Sequence, residues 1–491
     1  LGLLGVQAMH LRDFRRLPWI AGTYILTLAG LLAATGQNPM HTLLYMRGML
    51  ELSSGYNLAM GLDETRAVFH SGVGALSALF ALVLVLLLPR WKQPAALSGG
   101  LLLTGFTFME WKHGYVRADG HVFIFLHYAA IAAPTILLFA GRSPEMPRVQ
   151  RFLVAGLSFA AFGLGFWGYG ISSPIRHYWS VRQWWERLPH TIRQVATPLA
   201  DKARLDTALA GQRRTYELPR VKEMVGTGRI DFFGTEQGYL MLNGLNYRPR
   251  PMGGGTFNVF TPWLQDLNTN YVANPLTRPG FYLVNPETID QRFLAQDDPG
   301  TLRALLSLYT PVASEQGMTL FQARSGSPEL PPSRFLGTQG VALGEAVQVP
   351  EVGAHEVLLV SFTLPLNLMG RIRSFLYKPP MLFLGLEGDG LAEPNQRRLV
   401  SNLVRNAVQL SPALENMRDV LALYQDTPGK IVRRFTLQSP QSGLWSSPGL
   451  KAHFYAAPRP LPCPLATSLL QALDFPVANT TLPAVTERIE T

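Results

Sequence analysis

Five stretches in the first third of the chain, 17–36, 71–89, 95–109, 122–141 and 152–170, are apolar over lengths close to a membrane crossing. A helix needs about 20 mostly apolar residues to span a hydrocarbon core about 30 Å thick. In lipid each backbone N–H and C=O must find a partner within its own segment, so isolated stretches of this kind fold as helices. The stretch 95–109 is the shortest and reaches spanning length only if its helix continues through Glu110 and Trp111. Composition agrees. Asp, Glu, Lys and Arg make up 15% of the chain, where soluble domains carry about 25%, and the first third holds most of the deficit.

The formal charge is +10, yet Lys and Arg never run longer than a pair. The excess is therefore read as charge facing a lipid bilayer, with no nucleic acid as partner. Arg12, Arg15 and Arg16 precede the first stretch, Arg90 and Lys92 follow the second, and Arg142, Arg148 and Arg151 precede the fifth. The alternate loops hold only Arg47, Arg66, Lys112 and Arg117. The positive-inside bias places the richer set in the cytoplasm and everything after 170 outside. Arg176, Arg182, Arg187 and Arg193 oppose this, but long domains cross largely regardless of their charge. Residues 174–200 mix these arginines with Trp179, Trp184 and Trp185, the pattern of an interfacial amphipathic helix or of a plain amphipathic linker.

From about 200 onward the sequence turns soluble. RIDFF (229–233), FYLV (281–284) and MTLFQA (318–323) read as buried strands and TLRALLSLY (301–309) as a helix. Together they imply a small α/β layer. After the Pro/Ser-rich SGSPELPPSR come HEVLLVSFTLPL, PPMLFLGLEGDG, RRLVSNLVRNAVQLSP, KIVRRFTLQSP and LKAHFYAAP, strand-like runs divided by Gly, Pro and Ser. They fit a β-sandwich, with MRDVLALYQ (417–425) as a short helix within it. The expected fold is a membrane all-α N-terminal part of about five transmembrane helices, then a soluble α/β domain and a β-sandwich domain. The expected divisions are 1–173 (transmembrane), 174–200 (interfacial helix), 201–325 (α/β), 326–339 (linker) and 340–491 (β-sandwich).

EWKHGYVRADGH, residues 110–121, packs six ionisable groups between two apolar stretches. Ionisable side chains near lipid are costly and either pair with one another or line a polar site. Glu110 and Asp119 balance Lys112 and Arg117, which suits a self-paired structural knot. The same residues suit a site: Lys112, His113, Arg117 and His121 can hold a phosphate while Asp119 or Glu110 serves as base or orients them. A second candidate is the preceding loop, where Glu51, Asp63 and Glu64 could act with Tyr56 and Asn57 as polar contacts, or which is simply a solvated connector with an amphipathic helix. A third is NYRPRPMGGG, in which Arg248 and Arg250 alternate with Pro and could project together toward an anion, or simply brace a loop.

Metal chemistry is not indicated. Glu110 and His113 have ExxH spacing, but no second copy exists, HExxH is absent, and Cys463 is the sole cysteine. No cofactor is expected, and a divalent metal finds no ligand spacing here. Motifs of nucleophile elbows, kinases and dinucleotide folds are also missing. The chain begins at Leu1 without a charged leader and cleavage site, so it is read as the C-terminal part of a longer protein.

KHGYVRADGHV, SSGYNLAM, LNYRPRP and TPWLQDLN resemble motifs of a group of large bacterial multi-pass membrane proteins. More loosely, PGFYLVN, LRALLSLYTPV and GMTLFQAR are similar to the closing strand, helix and strand of GT-C membrane glycosyltransferases. That resemblance implies an inner-membrane enzyme that takes polyprenyl-phosphate-linked sugar on the periplasmic side in cell-envelope polysaccharide assembly. Its catalytic carboxylate would precede Leu1. The rival expectation is a non-enzymatic anchored envelope protein whose β-sandwich binds glycan or a protein partner. A transporter is disfavoured by the lack of a repeat or of paired broken helices.

Overall fold

The computed structural model describes residues 15–141, 146–171, 181–326, 328–392, 395–425 and 429–474. Arg12, Arg142, Arg176, Trp179, the first part of the expected interfacial helix (174–180) and the end of the expected β-sandwich (475–491) lie outside the described residues. Helices come first and strands after, as the sequence implies. Contacts divide the chain into a first unit, Leu1–Met49, Met60–Thr197 and Phe375–Lys378, and a second, Leu50–Ala59, Pro198–Ser374 and Pro379–Thr491.

The helices up to residue 196 are α1 (Arg16–Ala34), α2 (Thr42–Ala59), α3 (Arg66–Leu87), α4 (Pro94–Val116), α5 (Val122–Gly141), α6 (Arg148–Ile171) and α7 (Val181–Ala196). Among the described residues, four segments are long and apolar enough to cross a membrane: Arg16–Ala34, Arg66–Arg90, Val122–Ala140 and Arg148–Ile171. α4, the third of the five expected spans, is not among them. Its helix does continue past Met109, but it carries Glu110, Lys112 and His113 in its last turns and Gly99, Gly100 and Gly105 earlier.

Packing in the first unit brings small residues together between its helices. Small residues face inward: Ser71, Gly72, Ala75 and Ala78 of α3 and Ser158, Ala161, Gly165 and Gly168 of α6 are all buried. Large ones face outward, with Phe152, Phe159 and Phe166 exposed at 85%, 68% and 64%. Where the surroundings are as apolar as the side chains, helices associate through close backbone approach and van der Waals contact. A Cβ on Gly165 would stand 3.0 Å from the Leu126 carbonyl oxygen and 3.4 Å from Ala129 Cβ of α5. Gly165→Leu should therefore lower the unfolding temperature in detergent, the overpacking costing about 1–3 kcal/mol. Gly156→Leu, with nothing within 4 Å, should leave that temperature unchanged.

The second unit contains α8 (Pro198–Thr215), α9 (Pro219–Val225), β1 (Arg229–Phe233), α10 (Gly238–Leu242), β2 (Asn246–Tyr247), α11 (Pro262–Ala273), β3 (Phe281–Val284), α12 (Pro299–Leu308), β4 (Tyr309–Glu315) and β5 (Met318–Ala323). Its first sheet runs β2-β1-β3-β5-β4. β1 is parallel to β2 and β3, while β5 is antiparallel to β3 and β4. RIDFF, FYLV and MTLFQA are thus β1, β3 and β5. Each is a short run buried along most of its length, because the sheet is covered.

The strands that follow are β6 (Arg334–Gly340), β7 (Ala346–Gln348), β8 (Glu356–Thr363), β9 (Leu382–Asp389), β10 (Gln396–Leu399), β11 (Val408–Ser411), β12 (Ile431–Gln438) and β13 (Lys451–Pro458), with α13 (Leu368–Leu376), α14 (Met417–Ala422) and α15 (Leu465–Asp474) among them. They form two antiparallel sheets, β10-β9-β12-β7 and β11-β8-β13-β6. Phe435 of β12 meets Phe362 of β8 and Phe454 of β13, at 5.6 and 6.4 Å between ring centres. Of the stretch 326–339, read from sequence as linker, residues 334–339 lie in β6, paired with β13. The α/β layer and the two sheets share one core, in which Leu302, Leu305 and Tyr309 join Leu359, Val408 and Leu410.

Within this unit, Arg292 and Arg398 are both buried and both donate to the Ala59 carbonyl, at 2.9 and 2.8 Å. Ala59 is the last residue of α2. Its carbonyl lies at the negative end of the helix, where cations are favoured.

Candidate functional site

In the first unit the chain between α4 and α5 runs beside the chain entering α3. Leu62 N–H donates to the Val116 carbonyl at 3.0 Å, and Ala118 N–H donates to the Leu62 carbonyl at 3.3 Å. This pairing joins EWKHGYVRADGH to Asp63 and Glu64 of the second sequence candidate. Two polar clusters result.

The first cluster is built on Asp119. One carboxylate oxygen accepts from Arg117 Nε at 2.7 Å, and the other meets His121 Nδ1 at 2.5 Å and accepts from the His121 backbone N–H at 3.2 Å. Two residues of separation suffice because Asp side chains readily accept from the backbone two positions on. Burial works against the charge of Asp119, but the His121 ring and backbone N–H and the Arg117 guanidinium outweigh it and hold the carboxyl below its ordinary value. With Asp119 ionised, Nδ1 of His121 carries the shared proton, and in the neutral ring Nε2 is an acceptor. His121 and Asp119 are each more than a third exposed, while Arg117 is largely covered. The His113 ring, on the last turns of α4, lies 6.4 Å from the His121 ring. Glu110 is half-buried one turn earlier on α4.

The second cluster joins Asp63, Glu64 and Lys112 to Tyr377 and Lys378, two residues that sequence reading did not single out. Lys378, 1% exposed, donates to Glu64 Oε2 at 2.5 Å and to the Leu62 carbonyl at 2.6 Å, and lies 3.2 Å from Asp63. Tyr377 donates its hydroxyl to the other oxygen of Glu64. Lys112 Nζ donates to the Tyr377 carbonyl at 2.6 Å, and Trp111 Nε1 to the Leu376 carbonyl at 2.9 Å. Trp111 is also sandwiched, stacking on Tyr115 at 4.2 Å and on Tyr377 at 5.8 Å. Burial raises Glu64 above the ordinary carboxylate value, and the ammonium of Lys378 offsets only part of that. Nothing near Phe375–Lys378 in sequence signals this location. The segment sits among strand runs more than 200 residues after α5.

The remaining expected site residues belong to the second unit. Arg248 is exposed, while Arg250 is fully buried, so they do not project together. The Arg250 guanidinium reaches Asp231 Oδ2 at 3.0 Å, Asp298 Oδ2 at 3.1 Å and the Phe232 carbonyl at 2.7 Å. Tyr56 packs edge-on against Phe260 at 5.9 Å, and Asn57 donates to the Ser374 carbonyl at 2.9 Å. These two thus take part in packing within that unit. Among the described residues no three His, Cys, Asp or Glu side chains are grouped to hold a metal ion.

The six functional candidates of 110–121 therefore separate. Trp111 and Lys112 grip the backbone of 376–377, whereas Arg117, Asp119 and His121 form a compact acid–base group with an accessible imidazole. Compared with known proteins, the chain matches no family model, no curated protein and no solved structure.

Proposed function

We propose that the protein is a GT-C-like membrane glycosyltransferase of the bacterial inner membrane, working on the periplasmic side. It passes a sugar from a polyprenyl-phosphate carrier to an acceptor hydroxyl during envelope polysaccharide assembly. The observation that carries this reading is the Asp119–His121 pair. A carboxylate on Nδ1 fixes the tautomer and orientation of an imidazole, and Nε2 then accepts a proton from a hydroxyl as it attacks. The His121 ring and backbone N–H, with the Arg117 guanidinium, keep Asp119 ionised, and the position of Arg117 beside the pair suits a phosphate-bearing donor. The motif resemblance and the apolar helices support a substrate presented from lipid.

His121→Ala and Asp119→Asn should each reduce sugar transfer from a polyprenyl-phosphate donor in isolated membranes by about 100-fold or more. Membrane abundance and unfolding temperature should stay at wild-type values. Full transfer by His121→Ala would sink the reading.

A second reading, a non-enzymatic anchored envelope protein, is favoured by Lys112, whose amine is engaged by the Tyr377 carbonyl. On that reading the charged stretch is a clasp, and Lys112→Ala lowers abundance in membranes without changing glycan output per molecule.

A further inference from the structure

α13 is a nine-residue helix whose apolar residues face outward. Leu368, Met369, Ile372, Phe375 and Leu376 are exposed at 72%, 61%, 43%, 69% and 50%. At about 100° per residue these five fall within an arc of about 120°, with Arg371 and Arg373 each about 40° beyond its two edges. Gly370 lies on the opposite side and is buried, and a Cβ there would overlap the Leu444 carbonyl oxygen. The inward face is thus flush against the protein, while the outward one is an apolar stripe between two guanidinium groups.

We propose that α13 lies in the plane of the membrane interface and binds anionic phospholipid, its stripe entering the acyl boundary and its arginines meeting the headgroup phosphates. Such helices combine one apolar face with flanking cations, and long basic side chains bury their stems while the charge stays at the headgroups. Two further observations select a bilayer as occupant. Phe375 packs on Phe108 of α4 at 5.7 Å, and Met109, next to Phe108 on that helix, is exposed at 67%. Phe375 and Leu376 belong to the first unit and add to its outward apolar surface, and that unit's helices include four candidate spans. The exposed Arg371 brings positive charge where an anionic leaflet attracts it, which a second apolar protein face would not need, and the half-buried Arg373 adds charge at the other edge. This inference does not rest on the transferase reading.

The test uses the full chain in a Cys463→Ser background, with Met369→Cys, Phe375→Cys or, as a control on an exposed turn, Glu345→Cys. Each cysteine carries an environment-sensitive fluorophore, and the protein is reconstituted in vesicles of phosphatidylcholine with phosphatidylglycerol. Nitroxide-labelled lipid should quench the probes at 369 and 375 several-fold more than at 345, and iodide should show the reverse order. Arg371→Glu with Arg373→Glu should weaken lipid quenching at 369 in vesicles that contain phosphatidylglycerol and leave it unchanged in phosphatidylcholine alone. Iodide access at 369 and 375 equal to that at 345 overturns the proposal. So does protection from both quenchers, which would mean that protein covers the stripe. Indifference to the charge reversals overturns the anionic-lipid assignment.

Discussion

Lys378→Met should remove about 3–5 kcal/mol of stability, seen as a lowered unfolding temperature of the detergent-solubilised chain. The side chains of Lys378 and Glu64 are 1% and 4% exposed, so removing the ammonium strands a carboxylate that water cannot reach. The double variant Lys378→Met with Glu64→Gln removes both charges and should recover most of the loss, since replacing a whole buried pair is often nearly neutral. A single variant that melts with the wild type would show that the clasp contributes nothing.

The same substitution has a pH signature. Burial already lifts Glu64 above its ordinary value, with Lys378 pulling it down. Without Lys378, burial and the neighbouring Asp63 both push it further up. A raised folded-state value means that the folded form takes up a proton where the unfolded form does not, so stability is gained as pH falls and lost as it rises. The deficit of Lys378→Met should be full above the shifted Glu64 value and shrink as pH falls toward the ordinary carboxylate value. Urea titrations of variant and wild type across that range measure it.

What could be read from the sequence follows from how local each signal is. The long apolar helices and the strands RIDFF, FYLV and MTLFQA are legible because apolar composition runs along a contiguous segment, whatever it packs against. α2 falls where the sequence implies a connector with an amphipathic helix, whose bounds the weak apolar periodicity of SSGYNLAM does not mark. Its end is held by Arg292 and Arg398, which no local pattern connects to Ala59. Arg117, Asp119 and His121 were found together because two-residue spacing is short enough for the chain to impose the contact. Lys378 was missed for the converse reason: its partners Leu62 and Glu64 lie more than 300 residues away. Lys112 reads from the sequence as a phosphate contact, and no local pattern shows that its amine donates to a main-chain carbonyl of that same distant segment. Pairing of charges over long sequence separations leaves no spacing to read.

Arg250→Met should be at least as damaging in the second unit, costing about 3–5 kcal/mol. Asp231 and Asp298 have no exposed side-chain surface, and both rely on this guanidinium. Asp298 also stands at the head of α12 with a left-handed backbone (φ +53°), where Asn268 Nδ2 donates to its carboxylate at 2.8 Å. Loss of the arginine therefore loosens β1, α11 and the start of α12 together. Arg250→Lys should rescue only in part, because a single ammonium cannot reproduce a planar fork that reaches two carboxylates and the Phe232 carbonyl. Arg250→Met with Asp231→Asn and Asp298→Asn should recover much of the loss by removing the stranded charges. Arg248→Ala, at an exposed position, should leave the unfolding temperature as it is. The set separates the two roles considered for these arginines, with limited proteolysis of the full chain as readout. A brace at Arg250 predicts rapid cleavage of Arg250→Met and wild-type resistance of Arg248→Ala. An anion-binding pair predicts two intact proteins that have lost only a ligand.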